Sequence, residues 1–381
     1  MISTQKDKFS LSSDKVYLNC AYMSPILKSV EEAGIEGIKK KRNPFDISPE
    51  HFFKETEELR SEYASLINTK EPERIVVTTS VSYGMANVTK NIKLTADENV
   101  IVLGEQFPSN YYPWKRLCDS YGAQLVTVSA PKVAAERGKL WNEAILEAIN
   151  EKTKVVAMSH VHWADGTLFD LIAIRKRTRE VGALLIIDGT QSVGALPFDV
   201  KAIQPDALIC AGYKWLLGPY SIGLSYYGPY FDDGVPVEEN WINRLHSEDF
   251  AGLVSYEDRY QPGALRYEAG EHSNFILVPM MLQAVKQINE WGVENIQTYC
   301  KQLCDKHLPS LKNAVIENES FRGSHLFGIR VDPANMEQLK AAIQRANISV
   351  SVRGDAIRVS PHLYNTDEEM KLLMDTINQN I

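Results

Sequence analysis

Cysteine is scarce: there are five in 381 residues, Cys20, Cys118, Cys210, Cys300 and Cys304, odd in number and without a CxxC pair. That arithmetic argues against a disulfide framework and suits a reducing compartment. Cys300 and Cys304 are four apart and could share a helix face, yet no histidine or second cysteine pair joins them at zinc spacing. Long apolar runs are missing too, since nothing approaches the ~18 residues of a membrane span. The opening MISTQKDKFSLSSDK has no apolar core of the kind a signal peptide needs. The expected location is therefore the cytoplasm, with no membrane partner. Positive charge is also in short supply, with 41 Lys and Arg against 49 Asp and Glu and a net charge of -8. A general nucleic-acid surface is excluded on that ground, and KKKR at 39–42 reads as a solvated helix end. No GxGxxG follows an apolar run, which removes the usual dinucleotide fingerprint.

What the chain does have is length and alternation. Its 381 residues exceed one small core. From about residue 74, short β-rich runs alternate with helical stretches: RIVVTTS, NVIVLG, QLVTVSA, KVVAMSHVHW, ALLIIDGT, DALICAGYKW and SIGLSYYG. Runs this continuously apolar are expected of strands buried on both faces, with crossover helices between them. Past about residue 275 the pattern becomes α+β and ends in a helix whose Thr366 and Glu369 have capping-box spacing. The fold class expected is α/β. Residues 20–275 form a large domain with a mostly parallel sheet, and residues 1–19 with 276–381 form a smaller α+β domain.

Ligands of open α/β sheets bind outside the carboxyl ends of the strands, so the residues that end each run are the informative ones. They are strongly polar. RIVVTTS runs into Thr79, Ser80 and the start of a helix at Val81, where hydroxyls and free amides make a phosphate site. ALLIIDGTQ ends in Asp188 with Gln191 just beyond, and DALICAGYKW ends in Tyr213 and Lys214. KVVAMSHVHW supplies Ser159, His160, His162 and Trp163, and the segment after NVIVLG leads to Phe107. A lysine is costly to bury without a partner. Together with a buried acid, a hydroxyl-rich helix start and an exposed aromatic, it points to pyridoxal phosphate. That cofactor needs an amine for its aldehyde, a carboxylate for its ring nitrogen, a cradle for its phosphate and a flat surface for its ring. His160 and His162 share a strand face but lack carboxylate or cysteine partners for a metal, and His162 is assigned to the cofactor's surroundings.

The stretch IIDGTQSVGALPFDVKAIQPDALICAGYKWLLGPYSIG resembles the central signature of class V aminotransferases. These are fold type I pyridoxal phosphate enzymes that include cysteine desulfurases, selenocysteine lyase, kynureninase and isopenicillin N epimerase. YLNCAYMSP, TTSVSYG, EQFPSNYYPW, SHVHWADGT, RYEAGEHSNF and IRVSPHLYNTDEEM extend the resemblance over nearly the whole chain. It implies that Lys214 is the Schiff-base lysine and proton shuttle and that Asp188 holds the pyridinium nitrogen. It also implies that Gln191 bonds the phenolic oxygen, that Thr79, Ser80 and the Val81 amide hold the phosphate with the Tyr213 hydroxyl, and that Phe107 stacks on the ring. Arg358 corresponds to the clamp on the substrate α-carboxylate, with Arg353 competing for that role. A homodimer with active sites at its interface is implied as well.

Departures from the family pattern bear on the reaction. VSVRGDAIRVSPH has no cysteine where desulfurases carry their nucleophile, which argues against a persulfide on the enzyme. Gly270-Glu271 stands where a glycine-threonine is common, leaving His272 or Ser273 as replacements, and Trp163 stands where asparagine is common. The expected activity is cleavage of a C–S or other side-chain bond of an amino acid. The alternatives are an aminotransferase using a ketoacid, an epimerase, and a catalytically inactive cofactor-binding protein.

Overall fold

The structure is a computed structural model and describes residues 2–133 and 136–381. The chain enters through a two-residue strand, β1 (Val16–Tyr17), and helices α1 (Lys28–Lys40) and α2 (Lys54–Leu66). Strands and helices then alternate: β2 (Ile75–Thr78), α3 (Val81–Lys90), β3 (Asn99–Leu103), α4 (Tyr112–Tyr121), β4 (Gln124–Val128), α5 (Arg137–Ala148), β5 (Thr153–Ser159), α6 (Leu171–Val181), β6 (Leu184–Asp188), the single turn α7 (Val200–Ile203), β7 (Ala207–Ala211) and β8 (Gly223–Tyr227). A long irregular stretch leads to α8 (Leu277–Trp291), α9 (Val293–His307), β9 (Val315–Ile316), β10 (Phe327–Arg330), α10 (Met336–Arg345), β11 (Ile348–Ser349), β12 (Ser351–Arg353), β13 (Ala356–Val359) and α11 (Asp367–Asn378).

Each apolar run singled out in the sequence is a strand of one seven-stranded sheet, in the order β2-β8-β7-β6-β5-β3-β4. Successive side chains of a strand point to opposite faces, and here both faces are covered. Leu185 and Ile187 of β6 join one core with Leu208 and Cys210 of β7, while Leu184, Ile186, Ala207 and Ile209 join the core on the other side. The pairs from β7 through β6, β5 and β3 to β4 are parallel. β8 runs against both of its neighbours, β2 and β7. Its reversal follows from its connection: residues 212–222 form a loop without a helix, and a chain can return that directly only into an antiparallel partner. Lys214 rides on this loop, at the carboxyl end of β7.

A second sheet, β12-β13-β10-β9, is antiparallel throughout and packs its own apolar cluster, including Phe327, Ile357, Leu373 and Ile377, under α10 and α11. The Thr366 capping box is present: the Glu369 amide donates to Thr366 Oγ1 at 3.4 Å, and the Thr366 amide donates to Glu369 Oε2 at 3.2 Å. Helix α8 contributes Met281, Val285 and Ile288 to the core that also holds Leu59 and Tyr63 of α2. No helix among the described residues is long and apolar enough to cross a membrane.

The turn after β6 is locked by a close approach. Gly194 has φ +97°, and a Cβ there would lie 2.3 Å from the carbonyl oxygen of Trp215, on the loop that carries Lys214. Gly182, with φ +74°, has nothing within 4 Å of the same construction. Gly182→Ala therefore meets only the backbone penalty, about 1 kcal/mol, whereas Gly194→Ala adds a clash and is expected to cost about 2 kcal/mol or more. Urea midpoints of the two variants check this, and equal midpoints would contradict it.

Candidate active site

Along the carboxyl edge of the large sheet lies a cavity of about 300 Å³ lined by the ends of β2, β5, β6 and β7. Thr79, Ser80, Val81, Phe107, Trp163, Asp188, Gln191, Tyr213 and Lys214 all line it, brought together from five separate stretches of the chain. Asp188 is the last residue of β6 because the apolar run ends there, and the turn that follows accepts its side chain: the Thr190 amide donates to Asp188 Oδ1 at 3.0 Å. Thr190 Oγ1 in turn accepts from the amide of Ala211 at 3.1 Å, which ties the ends of β6 and β7 together. Burial pushes the Asp188 carboxyl up, partly offset by the Thr190 hydrogen bonds and by Lys214.

Lys214 is only 7% exposed. Burial lowers its amine to about 8, against the upward pull of Asp188 and helped by the charges of Arg358 and Arg353. Its Nζ lies 5.6 Å from the ring centre of Phe107 and 5.5 Å from that of Tyr213, facing aromatic surfaces instead of a carboxylate. Tyr213 packs on Tyr220 at 4.6 Å, and Phe107 meets Trp163 edge to face at 5.5 Å. The loop bearing Lys214 holds two non-glycine residues in the left-handed region, Leu217 and Ser221, a strain that tight packing around Trp215 maintains.

On the opposite wall, Ser80 caps α3 by accepting from the Tyr83 amide at 3.1 Å, and the exposed Thr79 and Ser80 lead into the first amides of the helix. Gln191 is held at both ends of its amide. Its Oε1 accepts from the Trp215 indole at 2.9 Å, and its Nε2 donates to the Ala21 carbonyl at 3.1 Å, which leaves a second N–H on Nε2. The Ala21 contact brings the YLNCAYMSP segment to the site, as does the Ser24 amide, which donates to the Tyr213 carbonyl at 3.1 Å.

Arg358, on β13, is 1% exposed. It donates from Nη1 to the Trp163 carbonyl at 2.7 Å and from Nη2 to Ser351 Oγ at 3.4 Å, while its buried Nε finds no partner. Burial, helped by the charge of Arg353, lowers it to about 10. It is not among the residues that line the cavity and meets that lining through the Trp163 carbonyl.

His162 is a correction to the sequence reading. Ser159, Val161 and Trp163 face the cavity, so strand alternation turns His160 and His162 the other way. His162 Nδ1 meets Asp165 Oδ1 at 3.3 Å and its ring packs on Trp141 at 4.9 Å, while His160 packs on Phe198. His272 also points elsewhere: its Nδ1 lies 3.0 Å from Glu268, which is paired with Arg60.

Gln106, Ser109, Thr190 and Tyr220 line the cavity without having been singled out in the sequence. The Asp-Gly-Thr turn after β6 was a usable signal for Thr190, whereas the others sit on loops whose direction the sequence does not encode. The Trp163 turn itself is anchored by Asp165. Its Oδ2 accepts from Arg137 Nε at 3.0 Å and from Arg330 Nη2 at 2.7 Å, and its Oδ1 accepts from Thr167 Oγ1 at 2.9 Å. Burial alone would raise the Asp165 carboxyl, but His162 and the arginine drive it well below the usual carboxylate range.

The family model for class V aminotransferases matches residues 46–373. The chain belongs to that family. Among its relatives, an uncharacterized aminotransferase, YcbU, of Bacillus subtilis (strain 168) is 27% identical over 324 residues, covering 84% of this chain and 83% of the relative. The apo structure of a cysteine desulfurase from Thermococcus onnurineus NA1 superposes with a TM-score of 0.83 at 21% identity, over 100% of this chain and 98% of the other. The cystine C-S lyase C-DES, in complex with its reaction product cysteine persulfide, does so with a TM-score of 0.83 at 19% identity, over 97% and 98%. As a class V aminotransferase the protein is a pyridoxal phosphate enzyme.

The cavity fits that group on its own terms. Ser159 Oγ and Gln106 Nε2 are buried at the cavity wall without a hydrogen-bond partner. The buried Asp188 has no cation within ion-pair reach among the described residues, and Lys214 has no acid. The groups available to the cofactor are hydroxyls and amides at the α3 start, a carboxylate, an amide N–H and an amine, flanked by the Phe107 ring.

Without cofactor, the buried amine is a burden on folding. Below about 8 Lys214 is charged in both folded and unfolded states and its burial cost is present in full. Between about 8 and its ordinary 10.5 the folded amine is neutral while the unfolded one still holds its proton, so stability rises with pH through that window. Lys214→Met should therefore stabilise the cofactor-free protein at pH 7 by on the order of 2–3 kcal/mol, a gain that shrinks towards pH 10.5. Urea unfolding at pH 7 and pH 10 measures it, and a variant less stable than the parent at pH 7 would contradict the assignment.

Proposed function

We propose that this class V aminotransferase is a C–S lyase, which eliminates the sulfur substituent from Cβ of an amino acid and releases it to solution. The observation that carries the reading is the complementary set of unpaired buried groups at one cavity: an amine near neutrality, an acid without a cation, and an arginine without an acid. When bound, pyridoxal phosphate supplies an electron sink conjugated to the substrate Cα.

The chain's residues divide the remaining work. Thr79, Ser80 and the Val81 amide, with Tyr213, would hold the phosphate, Phe107 would lie against the ring, Asp188 would pair with the ring nitrogen and the spare N–H of Gln191 would meet the phenolic oxygen. Arg358 offers its free Nε edge to the α-carboxylate, a planar acceptor suited to a guanidinium. Lys214 Nζ, with its pKa near 8, takes the proton from Cα. The Cα–H and Cβ–S bonds break, the sulfur leaves with its electron pair, and water converts the three-carbon remainder to pyruvate and ammonia. Trp163 and Phe107, edge to face at 5.5 Å, give the cavity an apolar wall.

Release of sulfur to solution is supported by where the thiols lie. Cys20, Cys210 and Cys300 sit in one apolar core, Cys118 in a second and Cys304 in the third, and none is among the cavity-lining residues described. Burial pushes each of these thiols up. The likeness to the cystine C-S lyase C-DES supports the same outcome. The reading also places the enzyme in the cytoplasm, as suits five unpaired thiols, and makes it a homodimer, as suits the exposed Tyr22, Met23 and Tyr220 near the cavity mouth.

The test is a product assay on the reconstituted enzyme with sulfur amino acids. Pyruvate, ammonia and a sulfur product should form in equal amounts with no ketoacid required, and Lys214→Ala should lower the rate at least ~10³-fold and remove the visible cofactor absorption. Ketoacid-dependent turnover without pyruvate would replace the lyase reading by transamination. A second experiment separates it from a thiol mechanism. Iodoacetamide applied to the folded enzyme is expected to leave turnover unchanged, whereas a nucleophilic cysteine would be alkylated and activity lost.

A further inference from the structure

Where the chain leaves β5 it divides two cavities. Ser159 and Val161 line the active site, while His160 between them lines a separate cavity of about 420 Å³. Side chains alternate along an extended segment, which puts the two cavities on opposite sides of it. The other walls of the second cavity come from the first turns of α6 and α7 and from the turn Glu319–Phe321 ahead of β10. The Leu168 amide donates to the Phe321 carbonyl at 2.8 Å and the Phe169 amide to the His160 carbonyl at 3.1 Å, which ties these walls together through the backbone.

Most of the lining is hydrocarbon, supplied by Leu168, Phe169, Leu171, Pro197, Ile203 and Phe321, and Ile172 at the rim is left 52% exposed. One imidazole interrupts it. His160 is 8% exposed, its Nδ1 is buried without a hydrogen-bond partner, and its ring meets Phe198 edge to face at 5.5 Å. Burial lowers it to about 3, so the ring is neutral and carries a lone pair on one nitrogen and an N–H on the other. Two carboxylates complete the set. Asp170 caps α6, its Oδ1 accepting from the Ala173 amide at 2.9 Å. Asp199 caps α7 by accepting from the Ala202 amide at 3.0 Å, and it also accepts from Asn68 Nδ2 at 2.9 Å. Among the described residues neither aspartate is in ion-pair contact with a cation, and no lysine or arginine lines the cavity.

Water alone is a poor occupant, because an ordered water needs two to four polar partners and most of this wall offers none. An anion would face two carboxylates. An apolar body with an ammonium head matches each part: hydrocarbon for the wall, a cation for the aspartates and an N–H for the neutral imidazole. We propose that this cavity is a second small-molecule site, which binds an apolar ammonium through His160, Asp170 and Asp199. The site is separate from the cofactor cavity and does not depend on which reaction takes place there.

Calorimetric titration of the holoenzyme tests the proposal with N,N-dimethylbenzylamine against the neutral N,N-dimethylbenzamide. The amine is a cation at neutral pH and, being tertiary, forms no imine with the cofactor. It is expected to bind at least ~10-fold more tightly than the amide, the factor that a charge-assisted hydrogen bond supplies. Asp170→Asn keeps a capping side chain but removes a charge, and Ile172→Arg sets a cation at an exposed rim position. Each is expected to cut the preference for the amine at least ~3-fold, as suits charges in partial contact with solvent. His160→Phe fills the cavity and removes both nitrogens, and is expected to abolish binding, with cofactor absorption as the check that the fold is kept. Equal affinity for amine and amide, no detectable binding of the amine, or a preference unchanged in both Asp170→Asn and Ile172→Arg overturns the proposal.

Discussion

The Asp165 carboxylate is the point on which the site's geometry depends. It receives Arg137 from α5, Arg330 from β10 and the ring of His162, and so joins the large sheet's helices, the second sheet and the turn bearing Trp163 in one buried cluster. A buried charge cluster contributes little net stability over an apolar equivalent, because desolvation offsets most of the attraction, but it is strongly directional. Removing one member leaves charges with no partner, so the cluster holds the 162–167 turn in a single arrangement. The Trp163 carbonyl then orients Arg358, and the Trp163 ring forms one wall of the cavity.

Beyond that cluster the pattern of charge reverses. Elsewhere several buried or half-buried ions are matched: Glu268 with Arg60 and His272, and Arg175 with Asp206. Around the cavity they are not. Among the described residues Lys214, Arg358 and Arg353 have no acid in ion-pair contact, and Asp188 has no cation. A fold that satisfies its buried charges in one region and leaves four unsatisfied in another has been shaped by ligands that complete them. A phosphate ester with a basic ring nitrogen and an aldehyde carries chemical partners for the acid and the amine.

Much of this was readable along the chain. The seven apolar runs are continuous enough that only a sheet covered on both faces accommodates them, and a polar residue closing such a run, as Asp188 closes β6, must stand at the carboxyl edge where ligands bind. Lys214 was conspicuous because nothing in its local sequence explains a lysine in an apolar setting. His162 was misplaced for an equally physical reason. Side chains alternate along a strand, and whether the odd or even positions of SHVHW face the cavity depends on the pairing of β5 with β3 and β6, not on the residues themselves. The bulky, polarisable Trp163 took the cavity-facing place, and His162 went to Asp165 and Trp141.

Composition and pattern by themselves determined the class of fold, the absence of a disulfide framework, the edge of the sheet that carries the chemistry and the kind of cofactor, because each follows from local periodicity or from the side-chain types ending a strand. Tertiary structure alone decided which of these residues meet. Asp188 and Gln191 come to the edge that carries Lys214 through the pairing of β6 with β7, and Ala21 reaches Gln191 across 170 positions of the chain. Arg353 and Arg358 come to one side of Trp163 only through the register of a hairpin. Such contacts join residues far apart in the chain, and their geometry is set by strand register and packing that no local stretch of sequence contains.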